Sequence, residues 1–348
     1  MTSSSRDRDA DAGSRAPVGA SAESLLATPA GGERAPDFFI VGHPKCGTTA
    51  LYQMLRVHPQ IFMPELKEPW YLASDMQPRF PPPRSASPPE TLQEYLALFA
   101  EAGEGQRAGE ASSAYLLSRT AAAQIAELAP DAKIIAILRE PASFLRSLHL
   151  QLLRTHVEAS KDLRRAIELE PLRRSGRKIP RRSHRPQLLM YSDHVRYVEQ
   201  LRRYRSVFGE EQLLILIYDD FRDDNEATVR SVLRFLDVGD DVPVVPREAN
   251  PTNVRMRSQH LDELLNMISV GRGPATRLAK AALKAISTEP LRDGAMRMTR
   301  RRLILGRPPA ADESLMLELR RRFAGEVAAL SEYLDRDLVR LWGYDRLA

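Results

Sequence analysis

The chain has 348 residues, of which 43% are hydrophobic and 28% charged, and a formal net charge of +5. This composition is typical of a globular protein with a sizeable core, and it excludes collagen-like and wholly disordered chains. The sequence contains no run of about 18 apolar residues, the length that would predict a transmembrane helix. Cys46 is the single cysteine. Intrachain disulfides are therefore excluded, and we predict a cytoplasmic protein.

The first 36 residues are rich in Ser, Ala, Gly, Asp and Arg and contain no apolar segment. This pattern predicts a disordered tail rather than a signal peptide. We expect a single α/β domain over residues 37–348, with a parallel sheet flanked by helices.

A strand, a glycine-bounded loop and a helix follow the tail. Residues 38–41 are an apolar run typical of a buried strand, and the loop at 42–47 leads to Thr48 and Thr49 at the start of a helical pattern. The N–H groups of such a helix start, the Lys45 ammonium and the two hydroxyls can converge on one phosphate. The stretch therefore predicts a phosphate-binding loop.

The loop differs from the nucleotide P-loop GxxxxGK[ST], because Thr48 stands where that motif has lysine and Lys45 lies before Gly47. Its order instead resembles the 5′-phosphosulfate loop of sulfotransferases that use 3′-phosphoadenosine 5′-phosphosulfate (PAPS). The resemblance implies a P-loop-like fold and a cofactor-binding role for six residues: Pro44, Lys45, Cys46, Gly47, Thr48 and Thr49. It also implies that Lys45 stabilises the transition state.

A second block, residues 61–72, contains Lys67 and Glu68 between two prolines. Taken alone, the neighbouring Lys67 and Glu68 favour a surface ion pair. The block also resembles the KExxYF-like segment of the same family, in which the glutamate is the general base, and this resemblance implies that Glu68 is catalytic. Other sulfotransferases use a histidine, so His43 stays open as an alternative base, and His149 is interpreted as structural.

Residues 78–89 hold six prolines, which predicts an exposed loop insertion. A helix follows, with Thr91 and Glu94 as a capping box. Residues 109–116 are similar to the GExSPxYL block, with Glu110 as a supporting carboxylate. Ala111 stands where heparan-type members carry lysine, which weakens a polysaccharide assignment.

A third block predicts a buried strand over 134–138 and a helix from Ala142. Arg139 follows the strand, and Ser147 lies eight residues later, about two helical turns into the next element. The pair matches the family pattern RxPxxxxxS, which implies that both bind the 3′-phosphate and select PAPS over ATP.

The remaining chain gives weaker signals. Residues 163–185 are strongly basic and are interpreted as a loop insertion, with an acceptor lid for an anionic substrate as the alternative. Arg257 is assigned to nucleotide binding, with Arg255 nearly as good a choice. Residues 270–312 predict a basic helical appendage that could contact a membrane surface, and residues 315–342 predict a C-terminal helix.

These patterns predict an enzyme that transfers a sulfuryl group from PAPS to a hydroxyl of a sugar, lipid or other small molecule, with no metal. Two other classes stay open. One is an NTP-dependent kinase, for which Asp219 and Asp220 are the only candidate Mg²⁺ ligands. The other is a non-enzymatic basic protein that binds nucleic acid or a membrane; we expect no nucleic-acid partner because aromatic residues are not interleaved with the basic ones. The acceptor and the oligomeric state cannot be read from the sequence.

Overall fold

A computed structural model of the chain describes residues 34–79, 88–244, 255–256, 305–306 and 310–347. Its centre is a five-stranded sheet in the order β2-β3-β1-β4-β5, and every pair of neighbouring strands is parallel. The strands are β1 (Phe38–Gly42), β2 (Ile61–Phe62), β3 (Arg107–Ala111), β4 (Lys133–Leu138) and β5 (Leu213–Ile217). The predicted parallel α/β architecture is confirmed.

Helices connect and flank these strands. The longer ones are α1 (Thr48–Leu55), α3 (Ala121–Leu128), α4 (Pro141–Arg154), α8 (Tyr197–Arg205), α10 (Asn225–Phe235) and α11 (Glu313–Tyr333). The shorter ones are α2 (Leu92–Ala97), α5 (Leu163–Glu168), α6 (Glu170–Arg174), α7 (Tyr191–His194), α9 (Tyr218–Asp223) and α12 (Leu338–Leu341). Two further strands, β6 (Arg255–Met256) and β7 (Leu305–Gly306), pair antiparallel. Within the described ranges, no helix has the length and apolar character needed to cross a bilayer.

The core is built around β1 and β4. All five residues of β1 are buried, and so is every residue of β4 after Lys133. Strands that are covered by helices on both faces are expected to read as continuous apolar runs, and these two do. The local signals that predicted them are therefore the same ones that place them at the centre of the sheet.

The order of the strands creates a crevice between β1 and β4. After β1 the chain crosses through α1 to β2 on one side of the sheet, whereas after β4 it crosses to β5 on the other. In open α/β sheets, ligands bind at the carboxyl ends of neighbouring strands whose connections diverge in this way. The loop that follows β1 and Arg139, which follows β4, meet at this point.

The interpretation of residues 163–185 as a loop is wrong for its first half. Asp162 accepts a hydrogen bond from the Arg164 N–H and caps α5, and Leu163, Ala166 and Ile167 are buried on one face. Helix α6 follows directly. Arg173 at its end forms an ion pair of 2.8 Å with Glu158, and both side chains are almost completely buried. These contacts fix the basic segment to the domain.

Several sequence predictions lie wholly or largely outside the described residues. They are the tail at 1–36, the loop insertion at 78–89, the nucleotide contact at Arg257 and the appendage at 270–312. The tail and the insertion enter the described part of the chain only at their ends.

Candidate active site

The loop after β1 has a backbone that only a few residue types adopt easily. Lys45 has φ 66°, and Gly47 has φ 90° at the N-cap of α1. A Cβ atom at Gly47 would lie 2.8 Å from the ring of Phe221, so this position needs glycine for space as well as for conformation. Among the residues that the structure describes, no side chain caps the start of α1. The first N–H groups of the helix are therefore suited to an anionic ligand.

Lys45 lies in a strongly cationic environment. Burial, together with the positive charges of Arg154 and Arg139, lowers the pKa of its ammonium to about 8. An anion bound at Lys45 offsets the cost of burying the ammonium and its repulsion by the two arginines. This environment therefore favours anion binding. The loop is thus electrostatically prepared for a phosphate.

Arg139 contacts the same loop. Its Nη1 donates to the Lys45 carbonyl at 3.0 Å, and its guanidinium lies 4.6 Å from the centre of the Tyr218 ring. The Tyr197 hydroxyl donates to the Arg139 carbonyl at 2.9 Å, which fixes the backbone where β4 ends. The structure therefore brings together Lys45 and Arg139, which the sequence predicted to bind two ends of one nucleotide.

Arg139 also contacts the start of α4. Its Nε donates to Ser143 Oγ at 3.1 Å, one helical turn before Ser147. Ser147 is almost fully buried on α4. Ser143 lies four residues after Arg139, and at a helix start this spacing places two side chains on one face. The spacing is therefore the sequence signal for a contact between the two residues.

Cys46 is also buried, and burial raises the pKa of its thiol to about 12. The thiol therefore stays protonated at neutral pH and has no nucleophilic role. Its contribution to the loop is packing.

Glu68 lies on the adjacent side of the crevice, at the end of β3. Its N–H donates to the carbonyl of Ala111, which is paired in the sheet with Ile40 of β1. Glu68 has φ 61°, and its carboxylate is 36% exposed. A strained backbone that holds a partly open carboxylate one strand away from a phosphate loop is typical of a functional position.

Two donors fix the carboxylate of Glu68. Lys67 Nζ donates to Oε1 at 2.8 Å, and Ser113 Oγ donates to the same oxygen at 2.7 Å. Burial acts to raise the pKa of Glu68, but the Lys67 ammonium and the hydrogen bonds from Lys67, Ser113 and Trp70 outweigh it, so the pKa lies below its usual value. Glu68 is therefore ionised at neutral pH. Sequence reasoning missed Ser113, which lies 45 positions away.

Glu110, the second carboxylate of this region, is completely buried. Burial raises its pKa to about 7, although the Tyr95 hydroxyl donates to it at 2.9 Å. Because no part of it is exposed, it cannot contact an acceptor directly. It supports the end of β3 from behind.

The two candidate histidines are both structural. His43 is fully buried among Phe144, His194 and Tyr197, and its Nε2 is 2.8 Å from Gln200 Oε1. Burial lowers its pKa to about 3, so it stays neutral at physiological pH. His149 is buried on α4, with its Nε2 2.8 Å from the Ser160 carbonyl.

The carboxylates required by the kinase hypothesis are engaged elsewhere. Asp219 accepts a hydrogen bond from Trp342 Nε1 at 2.9 Å, and Arg336 binds both oxygens of Asp220 at 2.5 and 2.7 Å. Among the residues that the structure describes, no cluster of three or more His, Cys, Asp or Glu has the geometry of a metal site. Asp219 and Asp220 tie the C-terminal segment to the sheet.

The C-terminal segment also supports the start of α4. Glu140 caps that helix by accepting from the N–H groups of Ala142 and Ser143, and the Tyr344 hydroxyl donates to it at 2.7 Å. Residues next to the chain terminus thus hold the strand ends from which Arg139 and Tyr218 project.

Part of the basic segment at 163–185 is neutralised by ion pairs within the domain. Besides the buried pair of Arg173, Arg174 binds both oxygens of Asp193 at 2.9 and 2.6 Å. Paired arginines are poor contacts for nucleic acid or membrane, so the segment gives less support to the non-enzymatic alternative than its composition indicated.

Comparisons with known proteins agree with this geometry. A family model described as the sulfotransferase family matches residues 36–241. The crystal structure of a sulfotransferase from Alicyclobacillus acidocaldarius superimposes with a TM-score of 0.61 and 25% sequence identity, covering 89% of this chain and 99% of that one.

Two curated mouse proteins are similar in sequence. Carbohydrate sulfotransferase 15 is 26% identical over 259 residues, which cover 59% of this chain and 44% of the relative. Heparan sulfate glucosamine 3-O-sulfotransferase 3B1 is 30% identical over 144 residues, which cover 40% of this chain and 34% of the relative. The chain thus matches less than half the length of each of these relatives.

Proposed function

This chain belongs to the sulfotransferase family, and on that premise we propose that it transfers a sulfuryl group from PAPS to a hydroxyl of a sugar or other small molecule. The observation that carries the proposal is the meeting of Lys45 and Arg139 at the crevice between β1 and β4, one strand from Glu68. Two phosphate contacts and a carboxylate at one edge of a sheet are the parts that this reaction needs.

On the donor side, the loop at 44–49 holds the 5′-phosphate and Arg139 holds the 3′-phosphate. The uncapped start of α1 and the lowered pKa of Lys45 support this assignment, since both are features that an anion would stabilise. Lys45 supplies positive charge to the phosphate oxygen that leaves, where negative charge develops in the transition state. Ser147 is kept as a contact of the 3′-phosphate.

On the acceptor side, Glu68 is the general base. It removes the proton of the acceptor hydroxyl while the hydroxyl oxygen forms a bond to sulfur and the bond from sulfur to the 5′-phosphate oxygen breaks, which leaves adenosine 3′,5′-bisphosphate. Lys67 and Ser113 both bind Oε1, which fixes the orientation of the carboxylate. The anionic donor, once bound nearby, raises the pKa of Glu68 and makes it a better base.

The names of the two mouse relatives support a sugar hydroxyl as the acceptor. Ala111, which replaces the lysine of heparan-type members, argues for an acceptor other than a heparan chain. The cytoplasmic location stays a prediction.

A thermal-shift comparison tests the donor. Adenosine 3′,5′-bisphosphate at about 100 times its dissociation constant should add roughly 2.7 kcal/mol to the free energy of unfolding. ATP with Mg²⁺ and a short DNA duplex, each at the same concentration, should shift the melting temperature less. A larger shift with ATP would refute PAPS as the donor, and a larger shift with DNA would favour the non-enzymatic alternative.

A further inference from the structure

Arg185 is fixed against the loop that carries Glu68. Its guanidinium carbon lies 4.2 Å from the centre of the Trp70 ring, and its Nε donates to the Met76 carbonyl at 3.0 Å. Both partners follow Glu68 within eight residues. The position of this cation is therefore set by the same loop that sets the position of the proposed base.

The backbone around Arg185 strengthens this attachment. The Arg79 N–H donates to the His184 carbonyl at 2.7 Å, and Gln187 Nε2 donates to the Asp75 carbonyl at 3.0 Å. Contacts on both sides of Arg185 thus join its segment to residues 75–79. A side chain anchored in this way loses little further conformational entropy when it binds a ligand.

The terminal nitrogens of Arg185 are left for something else. In the described part of the chain, no residue accepts a hydrogen bond from its Nη atoms or forms an ion pair with them. The side chain is half-buried, and burial lowers its pKa, with the charge of Glu68 opposing that effect. Lys67 already forms the ion pair with Glu68, at 2.8 Å. Arg185 is thus a partly desolvated cation with spare donors, attached to the loop that carries Glu68.

Such a group is costly unless an anion completes it. The planar face of this guanidinium packs on Trp70 and its Nε is hydrogen-bonded, but its two Nη groups remain. They match the paired oxygens of a carboxylate or sulfate. Arg181 and Arg182, by contrast, are exposed. Arg185 differs from these exposed residues by its half-buried position, and from the buried Arg173 because Arg173 is paired with Glu158.

We propose that Arg185 recognises an anionic group, a carboxylate or a sulfate ester, on the acceptor and so selects hydroxyl compounds that carry a negative charge near the reacting hydroxyl. This proposal rests on the proposed function and adds to it the charge class of the acceptor. Arg185 binds the anionic group through its Nη atoms, and the neighbouring hydroxyl then reaches Glu68. Trp70 holds the guanidinium flat and provides an apolar wall for the rest of the acceptor.

Binding of small sugars to the full chain saturated with adenosine 3′,5′-bisphosphate tests the proposal. With the donor site filled, D-glucuronate, D-glucose 6-sulfate and D-glucose are titrated separately by calorimetry or by ligand-observed NMR. We expect at least one of the anionic sugars to bind about tenfold or more tightly than glucose, the factor that corresponds to 1.4 kcal/mol. Preference for glucuronate over glucose 6-sulfate, or the reverse, identifies the anionic group.

Three variants complete the test. Arg185→Gln should remove the preference, Arg185→Lys should keep part of it, and Arg181→Gln, which removes the same charge from an exposed position, should leave it intact. Bisphosphate affinity should stay unchanged in all three, which separates a lost acceptor contact from a misfolded domain.

Equal binding of charged and neutral sugars by the wild type, no binding of any anionic sugar, or a preference that survives Arg185→Gln would each overturn the proposal. Failure of the wild type to bind the bisphosphate would refute the proposed function instead, so the two failures are distinguishable.

Discussion

The two sides of the crevice are built in different ways. The donor side consists of the loop after β1 and of Arg139 after β4, two short segments at the ends of adjacent central strands. Its contacts involve backbone groups and a helix start, as the Lys45 carbonyl and the uncapped α1 show. The acceptor side consists of side chains from three distant segments, represented by Glu68, Ser113 and Arg185.

This contrast indicates how each side can vary. A site made from backbone conformation tolerates few substitutions. A site made from side chains on connecting segments can exchange them singly, so acceptor preference can change while the donor site is kept. Substitutions on the acceptor side should therefore affect turnover without affecting bisphosphate binding, whereas those on the donor side should affect both.

The largest effect is expected on the acceptor side. Glu68→Gln removes the proposed base but keeps the size of the side chain, and should lower kcat by about 10²- to 10⁴-fold. Bisphosphate binding, followed by the thermal shift, should stay at the wild-type level. Retained turnover would mean that another residue is the base and that Glu68 does not define the acceptor side.

On the donor side, Lys45→Ala should lower kcat by about 10²- to 10³-fold, the usual cost of removing one group that stabilises developing charge. Unlike Glu68→Gln, it should also weaken bisphosphate binding. Lys45→Arg keeps the charge with a different shape and should recover part of the activity. Wild-type turnover in the alanine variant would exclude Lys45 from the reaction.

Arg139→Ala tests which phosphate this residue binds. Charge-assisted hydrogen bonds contribute about 1.5–3 kcal/mol, so affinity for adenosine 3′,5′-bisphosphate should fall by about 10- to 100-fold. Affinity for adenosine 5′-monophosphate, measured in parallel, should change little. Equal losses for the two nucleotides would mean that Arg139 acts by supporting the Lys45 carbonyl rather than by binding the 3′-phosphate.

The smallest effect is a pH dependence. Lys45 has a pKa of about 8 in the free protein, so it is protonated below that pH and neutral above it. An anion binds the protonated form better, so bisphosphate affinity should fall above pH 8 by up to about tenfold per pH unit. The phosphates, whose second pKa is about 6, are largely dianionic above pH 7 and so contribute little to this decline. Calorimetry from pH 6.5 to 9.5 measures the decline, and Lys45→Arg should abolish it; a flat profile in the wild type would contradict the assignment.

The donor side could be predicted from the sequence because its signals are local. Residues 38–55 and 133–154 each contain a buried strand, a turn and a helix in one continuous stretch, and the structure has all of them. Arg139 and Lys45 could be placed together because adjacent parallel strands end at the same edge. The basic composition of residues 163–185 predicts a loop, whereas in the structure Asp162 caps α5 at the start of this segment.

The acceptor side could be predicted only in part. Glu68 is predicted through its resemblance to a family segment, whereas Ser113 donates to it across 45 positions of sequence and Arg185 packs on Trp70 across 115. Nothing in a local pattern specifies such contacts. In the same way, the burial of His43 depends on Phe144 and Tyr197, which come from distant helices, so its exclusion as a base required the structure.

The bonds from Trp342 to Asp219 and from Tyr344 to Glu140 have a consequence for the order of events in biosynthesis. Domains fold progressively as the chain leaves the ribosome, and the central strands precede these contacts by more than a hundred residues. The strand ends that carry Arg139 and Tyr218 are therefore made long before the aromatic side chains that hold them. Nucleotide capture by a nascent chain should begin only once residue 344 has emerged, which would keep incomplete chains from sequestering the sulfuryl donor.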